Sequence, residues 1–226
     1  MNFRGLNRLL VVMAALAIMA GGAYAATWNE TGDAEPLLGT AQVTTGSGPL
    51  TQISGQFFDR TDVDLYKIQI TDHVNFTAQT GLGWDPMLWL FNSSGLGVIA
   101  DDDYLGGSPK LSKGTIYQPP SNGIYYLAIS NFPHGPYSSG GNIFTWENLL
   151  ASDGNYVSTP DGPGAGLPLS SWSGAWEGPG EPYTITLEGA GFADLALTPI
   201  TGGIWLLGGG LAGLWMLGKR RKRLSA

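Results

Sequence analysis

In several apolar stretches of the middle of this chain the hydrophobic residues recur with a period of two, not the 3.6-residue period of a helix. Between Asp64 and Ile70, Tyr66, Ile68 and Ile70 alternate with Leu65, Lys67 and Gln69, which places one set on each side of an extended strand. Asn75 to Thr80 puts Phe76 and Ala78 on one side, and Ile124 to Ser130 sets Tyr125, Leu127 and Ile129 against Tyr126, Ala128 and Ser130. Tyr183, Ile185 and Leu187 alternate with Thr184, Thr186 and Glu188. Met87 to Phe91 is apolar without a break, as a strand buried on both faces would be, and Leu96 to Ala100 is a further short apolar run. The spacers include Asn92-Ser93-Ser94-Gly95, Asp101-Asp102-Asp103, Gly106-Gly107-Ser108-Pro109 and Pro119-Pro120-Ser121-Asn122-Gly123, all chemically suited to turns. With 35 Gly and 14 Pro in 226 residues, a mostly helical fold is disfavoured. The pattern predicts an all-β protein, an antiparallel β-sandwich of jelly-roll type.

Two segments depart from this pattern. Residues 26–50 are polar with scattered small residues and read as an N-terminal extension that adds an edge strand through Ala41 to Thr45. Residues 133–182 are rich in Gly, Pro and Ser and carry Trp146, Trp172 and Trp176. That aromatic content predicts that they fold back over a sheet, because water would otherwise meet a sizeable apolar patch. The sandwich itself is expected over residues 51–190, with 191–199 as a linker.

Both ends of the chain read as addresses. Arg4 and Arg8 precede an apolar run from Leu9 to Ala20 and the small-residue site Ala23-Tyr24-Ala25. This is the three-part layout of a secretory signal over residues 1–25, with an uncleaved anchor as the alternative. Ile200 to Gly218 is 19 residues without a charge, followed by Lys219, Arg220, Arg221, Lys222 and Arg223. At 1.5 Å per residue such a helix reaches about 28 Å, close to the hydrocarbon thickness of a bilayer. The five cations hold residues 219–226 on the cytoplasmic side. The two signals give one topology, an exported middle tethered through a C-terminal transmembrane helix at 200–218.

Pro199, Ile204-Trp205-Leu206-Leu207-Gly208, Gly210-Leu211-Ala212-Gly213-Leu214 and the basic cluster together resemble the PEP-CTERM family of C-terminal sorting tails. The resemblance covers about the last 28 residues. It implies a protein held in the inner membrane of a Gram-negative bacterium until an exosortase-like protease cuts near the motif. The Pro-Glu-Pro signature is replaced here by Leu197-Thr198-Pro199-Ile200-Thr201.

A second resemblance covers roughly residues 50–190. It rests on Gly55-Gln56-Phe57-Phe58-Asp59-Arg60-Thr61-Asp62-Val63-Asp64-Leu65-Tyr66, Asp85-Pro86-Met87-Leu88-Trp89-Leu90-Phe91, Ala100-Asp101-Asp102-Asp103 and Gly123-Ile124-Tyr125-Tyr126-Leu127-Ala128-Ile129-Ser130. These stretches are similar to bacterial pre-peptidase C-terminal domains. The resemblance implies a β-sandwich accessory module of secreted proteins, in some cases binding calcium or polymers, without catalytic activity of its own. No peptidase domain accompanies it in this sequence.

Charge and residue inventory narrow the chemistry. Between the two ends only Arg60, Lys67, Lys110 and Lys113 face all 18 acidic residues, a net charge of −14, and such a surface repels nucleic acid. The chain has no cysteine and two histidines, His73 and His134, so disulfides, thiolate sites and multi-histidine metal centres are excluded. Asp101, Asp102 and Asp103 are the densest cluster of charge, and Asp62, Asp64 and Asp85 sit at strand starts that can lie nearby. Together they form a candidate oxygen-rich site for calcium. A solvated turn whose Asp side chains accept backbone N–H bonds is the alternative. Trp172 and Trp176 are candidate platforms for stacking sugar rings, against the commoner fate of packing over the sheet. No nucleophile elbow, zinc-protease helix or phosphate-binding loop occurs, and nothing places a serine beside either histidine. The reading is an exported structural or adhesive surface protein, not an enzyme; the resemblance of its tail to the sorting-tail family implies an association with extracellular polysaccharide. A calcium-dependent carbohydrate- or protein-binding module is the alternative, and a secreted hydrolase comes third.

Overall fold

The computed structural model describes residues 26–81, 85–102, 108–111, 117–149, 157–174 and 180–195. The chain divides into two units, Met1–Leu195 and Ala196–Ala226, and all described residues belong to the first. The expected signal peptide, the 200–218 helix, Pro199 and the basic tail from Lys219 to Arg223 lie outside the described residues. Among the described residues no helix is long and apolar enough to cross a membrane.

The fold is all-β. A first sheet has the order β1 (Ala26–Asn29), β4 (Leu50–Gln56), β15 (Pro182–Glu188), β6 (Thr77–Thr80) and β9 (Lys110–Leu111). A second runs β13 (Val157–Ser158), β8 (Gly97–Asp101), β7 (Pro86–Asn92), β10 (Gly123–Asn131), β5 (Val63–Ile70) and β16 (Ala190–Phe192), with β2 (Gln42–Val43) also paired to β5. A small sheet joins β12 (Gly141–Asn142), β11 (Gly135–Ser138) and β14 (Leu169–Ser173), and β3 (Thr45–Gly46) pairs with β17 (Asp194–Leu195). One helical turn, α1 (Trp146–Leu149), completes the described elements.

The alternation read from the sequence decides which side chains face inward. In β15, Tyr183, Ile185 and Leu187 are buried while Pro182, Thr184, Thr186 and Glu188 are exposed, so the first sheet has one wet face. Its inner face meets Tyr66, Ile68 and Ile70 of β5, Leu88 and Leu90 of β7, and Tyr125, Leu127 and Ile129 of β10 in one continuous core. The second sheet has no wet face at its centre. Met87, Trp89 and Phe91 point the other way and join Val63, Leu65, Ala100 and Ala128 in a second core. Ile143, Phe144, Leu149 and Leu169, with Trp146 and Trp172 packed against them, cover that core. Much of the 133–182 segment is therefore a third layer laid over the sheet.

Pairing is mixed, not purely antiparallel. The long central pairs, β5 with β10, β10 with β7 and β15 with β4, are antiparallel. The short N-terminal strands are parallel: β1 to β4, β2 to β5 and β3 to β17. A parallel pair needs a long crossover, and residues 30–49 supply it between β1 and β4. Residues 26–50 are thus part of the fold and not an appendage, with β2 and β3 falling within or beside the expected edge strand at Ala41 to Thr45. Residues 191–195 likewise carry the rest of β16 and all of β17, inside what the sequence suggests is a linker.

Leu127 is fully buried at the centre of the inter-sheet core, whereas Thr186 on β15 faces water. Replacing Leu127 with Ala is expected to cost about 2–5 kcal/mol of stability, and Thr186→Ala within about 0.5 kcal/mol. Urea midpoints of the two variants measure this directly, and equal midpoints would contradict the assignment of faces.

Candidate functional site

Asp64 is the second residue of β5, and the period of two that sends Tyr66 and Ile68 inward sends it inward as well. It is fully buried. Its Oδ2 accepts a hydrogen bond from the hydroxyl of Tyr183 on β15, and the Tyr183 oxygen lies 2.5 Å from the hydroxyl of Tyr66. Since Tyr183 gives its proton to the carboxyl group, Tyr66 donates to Tyr183, and the three form a directed chain across the core. The Asp64 Oδ1 has no hydrogen-bond partner.

Two further carboxylates converge on this buried oxygen. The parallel pairing of Asn29 with Ser54 sets the end of β1 beside the end of β4, and Glu30 N–H donates to the Ser54 carbonyl at 2.9 Å. The Glu30 carboxylate then accepts from the backbone N–H of Gln56 at 2.8 Å and of Ala34 at 3.0 Å. Asp33 stands exposed three residues on. Oxygens of Glu30, Asp33 and Asp64 all lie within 4.8 Å of one another. Gly55 makes room for this meeting, because a Cβ there would run into the Tyr183 hydroxyl and the Glu30 carboxylate.

Burial dominates the electrostatics. It pushes the Asp64 carboxyl up to about 9; the Tyr183 hydrogen bond works against the shift, and the charges of Glu30, Asp62 and Asp33 add to it. Burial also raises Glu30, offset by its bonds to Gln56 and Ala34. Asp62 is raised for the same reason, against its bond from Phe58. Gathering carboxylates where their charged forms are disfavoured is chemically useful in two ways: one carboxyl keeps its proton, or a cation replaces it.

Beside the cluster is an open cleft of about 710 Å³ lined in part by Asn29, Glu30, Asp33, Ser54, Gln56 and Phe58. The turn after β4 shapes its rim. Phe57 is fully buried and packs against Tyr183 with ring centroids 5.0 Å apart, while Phe58 is 85% exposed. Asp62 Oδ2 accepts from the Phe58 N–H at 2.6 Å, and the Asp59 carboxylate accepts from the N–H and hydroxyl of Thr61, both at 2.7 Å.

The predicted acidic residues take different positions. Asp64 joins the cluster, and Asp62 beside it braces the Phe58 turn. Asp64, Ile129, Leu88 and Asp101 form one row across β5, β10, β7 and β8. Three strand spacings separate the two carboxylates by about 14 Å, too far to share one ion. Asp101 is buried at the far end, where its Oδ2 accepts from the N–H of Lys110 on β9 at 2.5 Å, so it links the two sheets. Asp102 is buried next to it, and Asp85 is exposed at the start of β7, one strand in from β10. Asp103 lies outside the described residues.

Trp172 is half-buried. Its ring meets Trp89, Phe91 and His134 edge-on at 6.0–6.2 Å, and its indole N–H donates to the Pro36 carbonyl at 2.9 Å. Trp176 lies outside the described residues. The His73 ring is 3.0 Å from Asn122 Oδ1, and the His134 ring is buried against Trp172 with its basicity lowered by that burial. The Ser130 hydroxyl beside it donates to the His134 carbonyl, not the ring.

Sequence reasoning missed Glu30, Asp33 and Phe58. Glu30 and Asp33 reach the site only through the parallel pairing of β1. Phe58 left a local signal: adjacent phenylalanines at a strand end point to opposite sides, so one of them must leave the core. Compared with known protein families and with curated proteins, the chain matches neither.

The Asp64 shift has a definite sign in stability. An unfolded Asp releases its proton near pH 3.9, whereas the folded carboxyl holds it to about pH 9. Between those values the folded state carries the extra proton, so raising the pH erodes stability until the slope levels near pH 9. In the chelator-treated full chain, the difference in urea midpoint between the native sequence and Asp64→Asn is expected to shift steadily against the native sequence from pH 5 to pH 9. A pH-independent difference would contradict a buried, protonated Asp64.

Proposed function

We propose that this protein is an exported, non-catalytic β-sandwich of the pre-peptidase C-terminal type, tethered or sorted through its C-terminal tail. It serves as a structural or adhesive component of a Gram-negative cell surface or extracellular matrix, in association with polysaccharide. Glu30, Asp33 and Asp64 hold a calcium ion that fastens the N-terminal strand to the sheet stack.

The observation that carries the reading is the fully buried Asp64, whose Oδ1 has no partner and sits beside two more carboxylates. A buried polar atom without a partner costs about 1–3 kcal/mol, and a cation there removes that cost and the mutual repulsion. Calcium fits the donor set because every ligand is an oxygen. Its bonds of about 2.3–2.6 Å put oxygens on opposite sides of the ion up to about 5 Å apart, so oxygens that all lie within 4.8 Å of one another can share it. Magnesium, with shorter bonds and stricter octahedral geometry, fits less well.

A binding role, the alternative to a purely structural one, is favoured by the open cleft next to this cluster. Among the described residues no activated nucleophile stands beside His73 or His134: one ring meets an amide, the other lies edge-on to an indole.

Thermal unfolding of the detergent-solubilised full chain tests the calcium site. Millimolar calcium is expected to raise the midpoint, by the equivalent of about 2.7 kcal/mol once calcium exceeds its dissociation constant a hundredfold. Glu30→Gln and Asp64→Asn are expected to lose most of that rise. A midpoint that calcium does not move would overturn the assignment.

A further inference from the structure

Phe58 is the most exposed of the large hydrophobic residues described, at 85%, and it is not loosely held. Its own N–H is fixed by Asp62 at 2.6 Å, its neighbour Phe57 is anchored in the core, and Phe57 N–H donates to the Glu181 carbonyl at 3.1 Å. A rigid turn thus presents one aromatic ring to water at the lip of the acidic cleft. An exposed ring on a braced backbone beside a polar cavity is the arrangement of a preformed contact surface.

The acidic cluster has an incomplete ligand set. Both Glu30 oxygens already accept backbone hydrogen bonds, and Asp64 Oδ2 accepts from Tyr183. Calcium takes six to eight oxygens, more than these three side chains supply, and Glu30 and Asp33 also line the cleft. Its lining residues include Asn29 and Gln56, whose side-chain amides both donate and accept, as sugar hydroxyls do. The volume of about 710 Å³ lies within the range of small-molecule sites.

We infer that this cleft is a glycan site in which Phe58 stacks on the face of a pyranose ring while two adjacent hydroxyls of that sugar complete the shell of the bound cation. The inference rests on the calcium reading above. A glycan fits better than a cationic peptide. With calcium in place the carboxylate charge is largely spent, and Phe58 stands on the rim as a flat surface and not as a recess for a side chain. The ligand class is an uncharged polysaccharide with free vicinal diols.

Affinity electrophoresis of the detergent-solubilised full chain in gels containing mannan or dextran, with calcium or with chelator, tests the inference, alongside the thermal response to calcium. Retardation by at least one polymer with calcium, lost with chelator and weakened about tenfold in Phe58→Ala, is expected, the loss being the size of one aromatic contact. Phe58→Trp is expected to retain binding, and Phe58→Ala to keep the full thermal response to calcium. A normal thermal response without retardation by either polymer overturns the glycan site and leaves the calcium reading standing. Equal retardation of native protein and Phe58→Ala overturns it too, as does retention on decalysine in place of the polymers. Absence of the thermal response itself marks failure of the calcium reading.

Discussion

The second sheet is apolar on both faces, and the architecture follows from covering them. Trp89 shows the constraint most clearly. It is fully buried in the middle strand of the molecule, surrounded by Phe144, Trp146 and Trp172, with its indole N–H on the Ser130 hydroxyl and that hydroxyl on the His134 carbonyl. A side chain of this size cannot be left on a wet face without exposing about 150–250 Å² of apolar surface. The first sheet covers one side of β7 and the segment around β11 and β14 covers the other. The Trp89 indole N–H and the Ser130 hydroxyl trapped there are paired in sequence, as most buried polar groups are.

Where two sheets meet around a dry core, polar chemistry is pushed to the ends of the strands. The row from Asp64 through Ile129 and Leu88 to Asp101 puts a carboxylate at each end of an apolar centre. Asp101 is tied to the backbone of the opposite sheet and acts as a joint. Asp64 accepts from the Tyr183 hydroxyl, which Tyr66 bonds in turn, while its Oδ1 has no hydrogen-bond partner. The same geometric position thus yields a structural link at one edge and a buried, half-satisfied carboxyl at the other.

Local periodicity made part of this legible. The alternation in β15 and the unbroken apolar run of β7 predicted one-sided and two-sided burial, because a strand's facing depends only on its own residues. The covering role of residues 133–182 followed from their tryptophans. Parallel pairing of β1 was not legible, since nothing local distinguishes a short polar strand that crosses twenty residues to reach its partner. The site shares that fate. Asp64 stood out as a charge in an alternating strand, but Glu30 and Asp33 are ordinary acidic loop residues until β1 docks. Asp101 and Asp102 resembled a solvated turn, yet they are buried where β8 meets β9, a contact between sheets that no spacing reveals.

The parallel placement of β1 beside β4 has a consequence for how the protein is made. Glu30 and Asp64 come from the N-terminal part of the body and Tyr183 from its far end, so their meeting place is not complete in a partly emerged chain. Loop closure over such separations is slow relative to local hairpins. The chain is therefore synthesised with its acidic groups apart and solvated, and they are held within reach of one another only once β15 has docked between β4 and β6.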